Sequence, residues 1–393
     1  MRIKGGRIVR TAIASALLTL VAAAQDLVWQ TPTGFRAIGE MVLANGLLVT
    51  GNVAGSGGII AVDTKSGKIV WRAPGVMSNG PASDGRNIYT TVLTDQLTQR
   101  LVALDLKSGK MLWSAQGQRW GGGFTRVHVD GGRVFLAGQD GKIRSFDAGT
   151  GKLLWAFAYS PGKGVCPTDI ASEGGKIYFG GGEQHYARSQ GVFLWALDAA
   201  SGKELWRFAS KPESYSRIGE CVQAPAVSNG VVAVTGSNLI YGLDANTGKL
   251  IWQQQIRRVV EGHDRRRMLS RPYIAGDRVY TIFEEGLVGW ELSRGTPIFS
   301  FDGRFPQEQS TRRLQLADGR LFFTANFESP EVTKSRQGFL YALDVTTKQI
   351  VWKHRVNRPS QYSDPANWST SEFVVAGGAV YYANFQFVAK ARY

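Results

Sequence analysis

Two cysteines, four histidines and one arginine-dense stretch are the parts of this chain whose residue types could do chemistry. The histidines are His128, His185, His263 and His354. No pair has H-x-x-x-H spacing, and none stands at zinc-ligand spacing from a cysteine. Glu183 beside His185 has the makings of a base site, although a lone loop histidine is more commonly solvated. Glu183 and Glu220 are loose carboxylates outside any calcium-loop pattern. No G-x-S-x-G elbow or phosphate loop is present, so no catalytic residue and no metal ligand is assigned. The densest charge is Arg257-Arg258-Val259-Val260-Glu261-Gly262-His263-Asp264-Arg265-Arg266-Arg267. Arg257, Arg258, Arg265, Arg266 and Arg267 offer planar forks that pair with carboxylate or phosphate. Two readings stand side by side: a partner- or anion-binding loop, or a solvated loop whose charges pair locally.

The elements that must position these residues are set by a repeat. Ala103-Leu104-Asp105-Leu106-Lys107-Ser108-Gly109-Lys110-Met111-Leu112-Trp113 has copies at 61–71, 145–155, 196–206, 242–252 and 342–352. A worn copy at 289–299 has Glu291 for the Asp and Phe299 for the Trp, and Trp29 ends an isolated fragment. The Trp slots at 29, 71, 113, 155, 206, 252, 299 and 352 are separated by 42 to 53 residues. A period in the forties made of short β-runs and Gly turns predicts four-stranded propeller blades. Eight slots predict an all-β, eight-bladed β-propeller of antiparallel blades. After Trp352 the chain holds about three strands, by the usual length of a blade strand. The Leu27-Val28-Trp29 fragment is therefore expected to close the last blade as its fourth strand.

Within the repeat, Asp-x-x-Ser/Thr-Gly is hairpin chemistry: the acid accepts backbone N–H groups and Gly takes a positive φ. Trp29, Trp71, Trp113, Trp155, Trp206, Trp252 and Trp352 are read as packing residues that fill the gaps between blades. Gly121-Gly122-Gly123 and Gly180-Gly181-Gly182 read as close backbone approaches near the central channel. Four insertions, 183–190, 257–271, 327–337 and 355–368, mark functional edges.

This motif resembles the tryptophan-docking motif of the PQQ-like β-propeller repeat family, from about Gln25 onward. The resemblance implies the fold more than an activity, because the family holds both quinone-dependent alcohol dehydrogenases and non-catalytic scaffolds. The dehydrogenases carry a vicinal Cys-Cys pair over the cofactor. Cys166-Pro167 does not supply one, and no cofactor is expected. Length, blade number and modest insertions are most similar to the BamB outer-membrane assembly factors. That implies a periplasmic scaffold whose partner is the barrel-assembly machinery. The alternatives are a quinone (PQQ)-dependent oxidoreductase and a propeller that binds a small molecule or an anionic polymer.

Cys166 and Cys221 each stand eleven residues before the second-strand positions Ile177 and Val232 of adjacent blades. Equivalent positions near a converging axis suit an inter-blade disulfide, which would stabilise by about 4 kcal/mol in the chain-entropy model. Two free thiols are the next reading. A soft Cu(I) site with Met77 and Met268 is the third.

Residues 1–24 read as a signal peptide: Arg2, Lys4, Arg7 and Arg10 precede an apolar run, and Ala22-Ala23-Ala24 precedes the expected cleavage. The propeller then occupies 25–393. No cysteine follows the apolar run, so no lipid anchor is expected at that place. Four of the 46 Lys and Arg and none of the 31 Asp and Glu fall in the leader, which leaves 42 against 31, a formal +11. Such a surface favours anionic partners, and no nucleic-acid motif appears. The expected protein is a soluble, monomeric resident of the periplasm or cell envelope. Thiol labelling of the intact chain should detect no thiol until reductant is added; labelling without reductant would exclude the disulfide.

Overall fold

In a computed structural model, residues 26–393 are described except 36–37, 53–57, 79, 94–98, 116–125, 139, 160–166, 182–192, 211–223, 237–238, 256–269, 284–285, 303–312, 329–335, 357–371 and 385. Among the described residues every regular element is a β-strand, arranged in eight sheets. No helix there is long and apolar enough to cross a membrane. The first blade consists of Ile38–Ala44, Leu47–Asn52, Ile59–Asp63 and Ile69–Ala73, paired in that order from the axis outward. Blades two to seven repeat the meander over 76–114, 128–158, 171–209, 226–255, 273–302 and 314–356, except that the inner strand of blade two is split into Val76–Ser78 and Ala82–Ser83, both paired with Asn87–Leu93. The eighth joins Phe373–Ala376, Ala379–Asn384 and Phe387–Arg392 to Leu27–Pro32, its outermost strand. The ring is thus an eight-bladed propeller closed by the N-terminal strand.

The core lies between blades rather than at the centre. Each of eight apolar clusters draws from two neighbouring blades; Tyr178, Leu194 and Trp206 of blade four, for example, meet Val232, Tyr241 and Leu243 of blade five. Alternation along each strand sends successive side chains to opposite faces, and both faces here meet a neighbour. That explains near-continuous burial in strands such as Val231–Thr235.

A repeated latch fastens these joints. The indole Nε1 of Trp71 donates to the Leu106 carbonyl of the next blade at 2.8 Å, and Trp113 to Ala148 at 2.9 Å. Trp29, Trp155, Trp206 and Trp252 do likewise with Thr64, Ala199, Ala245 and Leu292. Under each indole lies the turn glycine of the next blade: Gly67, Gly109, Gly151, Gly202, Gly248 or Gly295, all at positive φ. A Cβ there would come within 2.4 to 2.7 Å of the ring, so the position demands Gly for space as well as for conformation. The turn is braced by its Asp. Asp105 Oδ1 accepts from the Ser108 N–H at 2.8 Å and the Ser108 hydroxyl at 2.6 Å. These bonds hold the Asp105 carboxyl below its ordinary value.

Tertiary packing adds a feature absent from the simple strand pattern. In every outer strand the register slips by one residue just before the Trp slot, as where Met111 faces Leu104 but Trp113 faces Ala103. The bulge turns the Trp sideways onto the next blade. It leaves Val28, Val70, Leu112, Leu154, Leu205, Ile251, Ile298 and Val351 exposed by 40 to 50%.

Two joints depart from the pattern. Trp352 faces the closing blade, which has no turn at its outer corner, and donates instead to Asp26 Oδ2 at 3.0 Å. At the joint between blades six and seven, Phe299 has no N–H to donate and Lys348 takes the glycine slot at φ 57°. The two losses belong together: without an indole above it, the slot tolerates a Cβ. Gly181 also differs from its sequence reading. An added Cβ would meet Tyr159 and Trp195 at 3.1 and 3.3 Å, so its close approach is to aromatic rings at the joint of blades three and four, not to the channel.

Phe299→Trp alone is expected to lose about 1–3 kcal/mol through overpacking against the Lys348 stem. Lys348→Gly alone should gain about 1 kcal/mol by relieving left-handed strain. Combined, the two changes should rebuild the latch and exceed the sum of the singles in urea unfolding. Strict additivity would mean that the two slots do not meet.

Candidate functional site: an ion-paired ring at the axis

Leu48, Ile88, Val134, Ile177, Val232, Val279, Leu321 and Val380 occupy one register in the eight second strands and are fully buried. Eight residues before each comes, blade by blade, Glu40, Gly80, Arg126, Asp169, Ala224, Arg271, Arg313 and Glu372. Six of the eight are ionisable, three of each sign. They lie in or just before the innermost strands, where the blades converge.

All six are ion-paired. Arg126 pairs with Glu40, Arg271 with Asp169 at 3.1 Å, and Arg313 with Glu372 at 2.6 Å. The first pair joins blades one and three and the second joins blades four and six. Side chains from non-neighbouring blades meet only where those blades converge on the axis. Gly80 and Ala224, the two small residues, belong to the blades that these chords pass over. A Cβ on Gly80 would fall 2.2 Å from Glu40 Oε2, so Gly makes room for the first chord. The Arg126 N–H also donates to Asp169 Oδ1 at 3.0 Å, tying the two chords together.

Between 11 and 26% of each of these side chains is exposed. Burial drives the Glu40 carboxyl up to about 7; Arg126 opposes this, while the carboxylates of Glu372 and Asp169 add to it. Burial also lowers the Arg313 guanidinium, against the pull of Glu372. Next along the inner strands, His128 Nε2 and Ser172 Oγ of adjacent blades are 2.8 Å apart. Burial lowers the His128 pKa. No carboxylate among the described residues hydrogen-bonds this imidazole, so the pair has no acid to orient it as a base. The Gln315 amide spans the joint of blades seven and eight, donating to the Val375 carbonyl and accepting from its N–H, both at 2.8 Å. These contacts brace the inner edges of the blades.

The two rims differ. In an antiparallel meander, connections alternate between the two ends. One end carries only short turns, tied to each other by bonds such as Thr64 N to Gly46 O and Ala148 N to Gly132 O. The other end carries the second-to-third and blade-to-blade connections. Arg257, Arg258, Arg265, Arg266 and Arg267 fall in one of these, and Cys166 and Cys221 in two others. All seven residues lie outside the described set, as do Glu183, His185 and Met268. Of the described flanks, Gln255 is exposed and Ser270 is buried. Met77 is in the inner strand Val76–Ser78. His354 stacks on Trp352 and hydrogen-bonds Tyr382 at 2.8 Å, at the closing joint.

The axial ring escaped the sequence reading by three residues. The register that placed the cysteines eleven before the second-strand anchor places these six at eight before it. Three charges of each sign in that one column were the available signal.

A family model described as outer membrane protein assembly factor BamB matches residues 2–116, 55–195 and 189–390. The chain belongs to that family. It is 24% identical over 266 residues to the outer membrane protein assembly factor BamB of Yersinia pestis, covering 64% of this chain and 58% of that protein. It is also 32% identical over 131 residues to the quinone alcohol dehydrogenase subunit of Gluconobacter oxydans, covering 28% of this chain and 16% of that protein. The matched stretches span less than two thirds of these relatives' lengths. The crystal structure of BamB from Moraxella catarrhalis shares the fold, with a TM-score of 0.57 at 13% identity over 94% of this chain and 98% of that one.

Breaking one axial pair should destabilise strongly. Glu372→Ala leaves the Arg313 guanidinium without its carboxylate in a mostly buried place, and about 3–5 kcal/mol should be lost in chemical unfolding. Replacing the pair as Arg313→Met with Glu372→Leu should be far milder. Equal losses from the single and the double change would contradict the pairing.

Proposed function

We propose that this chain is a non-catalytic, extracytoplasmic scaffold that offers its long-connection rim to a protein partner, within outer-membrane β-barrel assembly. The strand order carries the reading: the tight turns occupy one rim, and the described strands run into the second-to-third and blade-to-blade connections at the other. Connections gathered on one rim of a rigid ring suit recognition of another protein. Membership of the BamB family supports the same reading, as does the use of six axial side chains in pairing with one another. Residues 1–24 serve as the export signal in this proposal, and the protein works in the periplasm. Arg257, Arg258, Arg265, Arg266 and Arg267 supply the charged part of the contact, and the excess of basic residues draws the partner in over distance.

A second reading, quinone-dependent oxidation, has the partial identity to the alcohol dehydrogenase subunit in its favour. It covers a much smaller part of the chain than the BamB family match.

Cross-linked affinity purification of the mature protein from envelope membranes should recover a barrel-assembly component. Changing the five arginines to glutamate should cut that recovery at least tenfold. Recovery of no envelope protein by the folded wild type would overturn the scaffold reading. Equal recovery by both would overturn only the arginine assignment.

A further inference from the structure

The three axial pairs are not equivalent. Asp169 accepts from both Arg271 and the Arg126 backbone. Glu372 meets Arg313 from the adjacent blade, and that guanidinium also donates to the Phe373 carbonyl at 3.2 Å. Glu40, like Asp169, crosses an intervening blade, but the arginine it reaches also serves Asp169 through its backbone. Its path exists because position 80 has no Cβ. Among the described residues Arg126 is its one ion-pair partner, and Glu372 and Asp169 face it as like charges.

The groups acting on Glu40 come from every side. Arg126 and Asp169 belong to blades three and four, and Arg313 and Glu372 to blades seven and eight. The strands packed on Ile38–Ala44 are Leu47–Asn52, Ala82–Ser83, Phe373–Ala376 and Ala379–Asn384. Their ionisable side chains are Tyr381, in the apolar cluster with Met41, and Tyr382, hydrogen-bonded to His354. Neither supplies a positive charge.

We propose that the Glu40–Arg126 chord across Gly80 is a proton-operated clasp on the axis. A proton taken from solvent by Glu40 breaks the chord between blades one and three. It changes the net charge of the six axial groups from zero to +1, beside the long-connection rim. The chord between blades four and six and the pair between seven and eight remain ionic. This clasp is independent of any partner, so its failure would leave the rim reading untouched.

The pH dependence has a definite sign. Glu40 is raised in the folded chain from the ordinary 4.5 to about 7. A carboxyl raised by folding contributes stability that is complete below pH 4.5 and is lost as pH rises through about 7. The ionised chord is therefore the strained form, and near pH 7 the ring lies close to the midpoint of its switch.

The test is a titration of the Glu40 side-chain carboxyl by ¹³C NMR, with thermal unfolding of the same samples from pH 4 to 9. In the wild type the carboxyl should titrate near 7, and the melting midpoint should fall relative to that of Glu40→Gln across pH 5 to 8. Glu40→Gln should, at pH 8, show the hydrogen exchange that wild-type His128–Asp130 shows at pH 6. Gly80→Ala should part the carboxyl from Arg126, which opposes the rise, and so move its titration above the wild-type value. A wild-type Glu40 titrating near 4.5 would overturn the clasp. So would a Glu40→Gln melting profile parallel to the wild type. If one variant does not fold, the wild-type titration and the other variant decide.

Discussion

An indole seated on the turn glycine of the next blade is the contact on which this molecule depends. It does three things in one place. The ring covers apolar surface, its N–H satisfies a backbone carbonyl, and its flat face excludes any side chain from the turn beneath. Each blade alone is a four-stranded sheet with both faces apolar, and it is stable only when neighbours cover those faces. Cooperativity therefore runs around the ring, and the last joint matters as much as the first. There Asp26 stands in for a turn carbonyl that a blade assembled from both chain ends does not have.

Fastening the blades at their outer corners has a consequence at the centre. Eight inner strands are forced together, and whatever side chains begin them must meet. Three arginines and three carboxylates meet there as pairs, because a charge brought out of water without a partner would cost several kcal/mol. Small residues in blades two and five let pairs form between blades that are not neighbours. The outer latch and the axial pairs thus brace the same ring at its two radii, one through apolar area and the other through charge.

The ring is also polar in its loops. Short Asp- and Gly-built turns make one rim regular, and the positive φ of Gly67 or Gly109 leaves little freedom there. At the opposite rim the described strands run into the second-to-third and blade-to-blade connections, where added length would disturb neither the latch nor the sheet. The axial ring begins on the inner strands just as they enter from that rim.

Strand order, blade number and ring closure were legible in the chain alone. A-L-D-x-x-S/T-G-K-x-x-W encodes a strand, a turn and an outer strand locally, and its recurrence counts the blades. The roles of Asp105 and Gly109 followed from turn chemistry for the same reason. Three things were decided only in three dimensions. The bulge before each Trp depends on what the indole reaches in the next blade, and no local pattern contains that neighbour. The tolerance of Lys348 follows from Phe299, 49 positions earlier, across a joint. The pairing of Glu40 with Arg126 and of Asp169 with Arg271 arises because a closed ring brings distant inner strands within hydrogen-bonding reach. A sequence states the charge of each residue, but convergence on an axis chooses its partner.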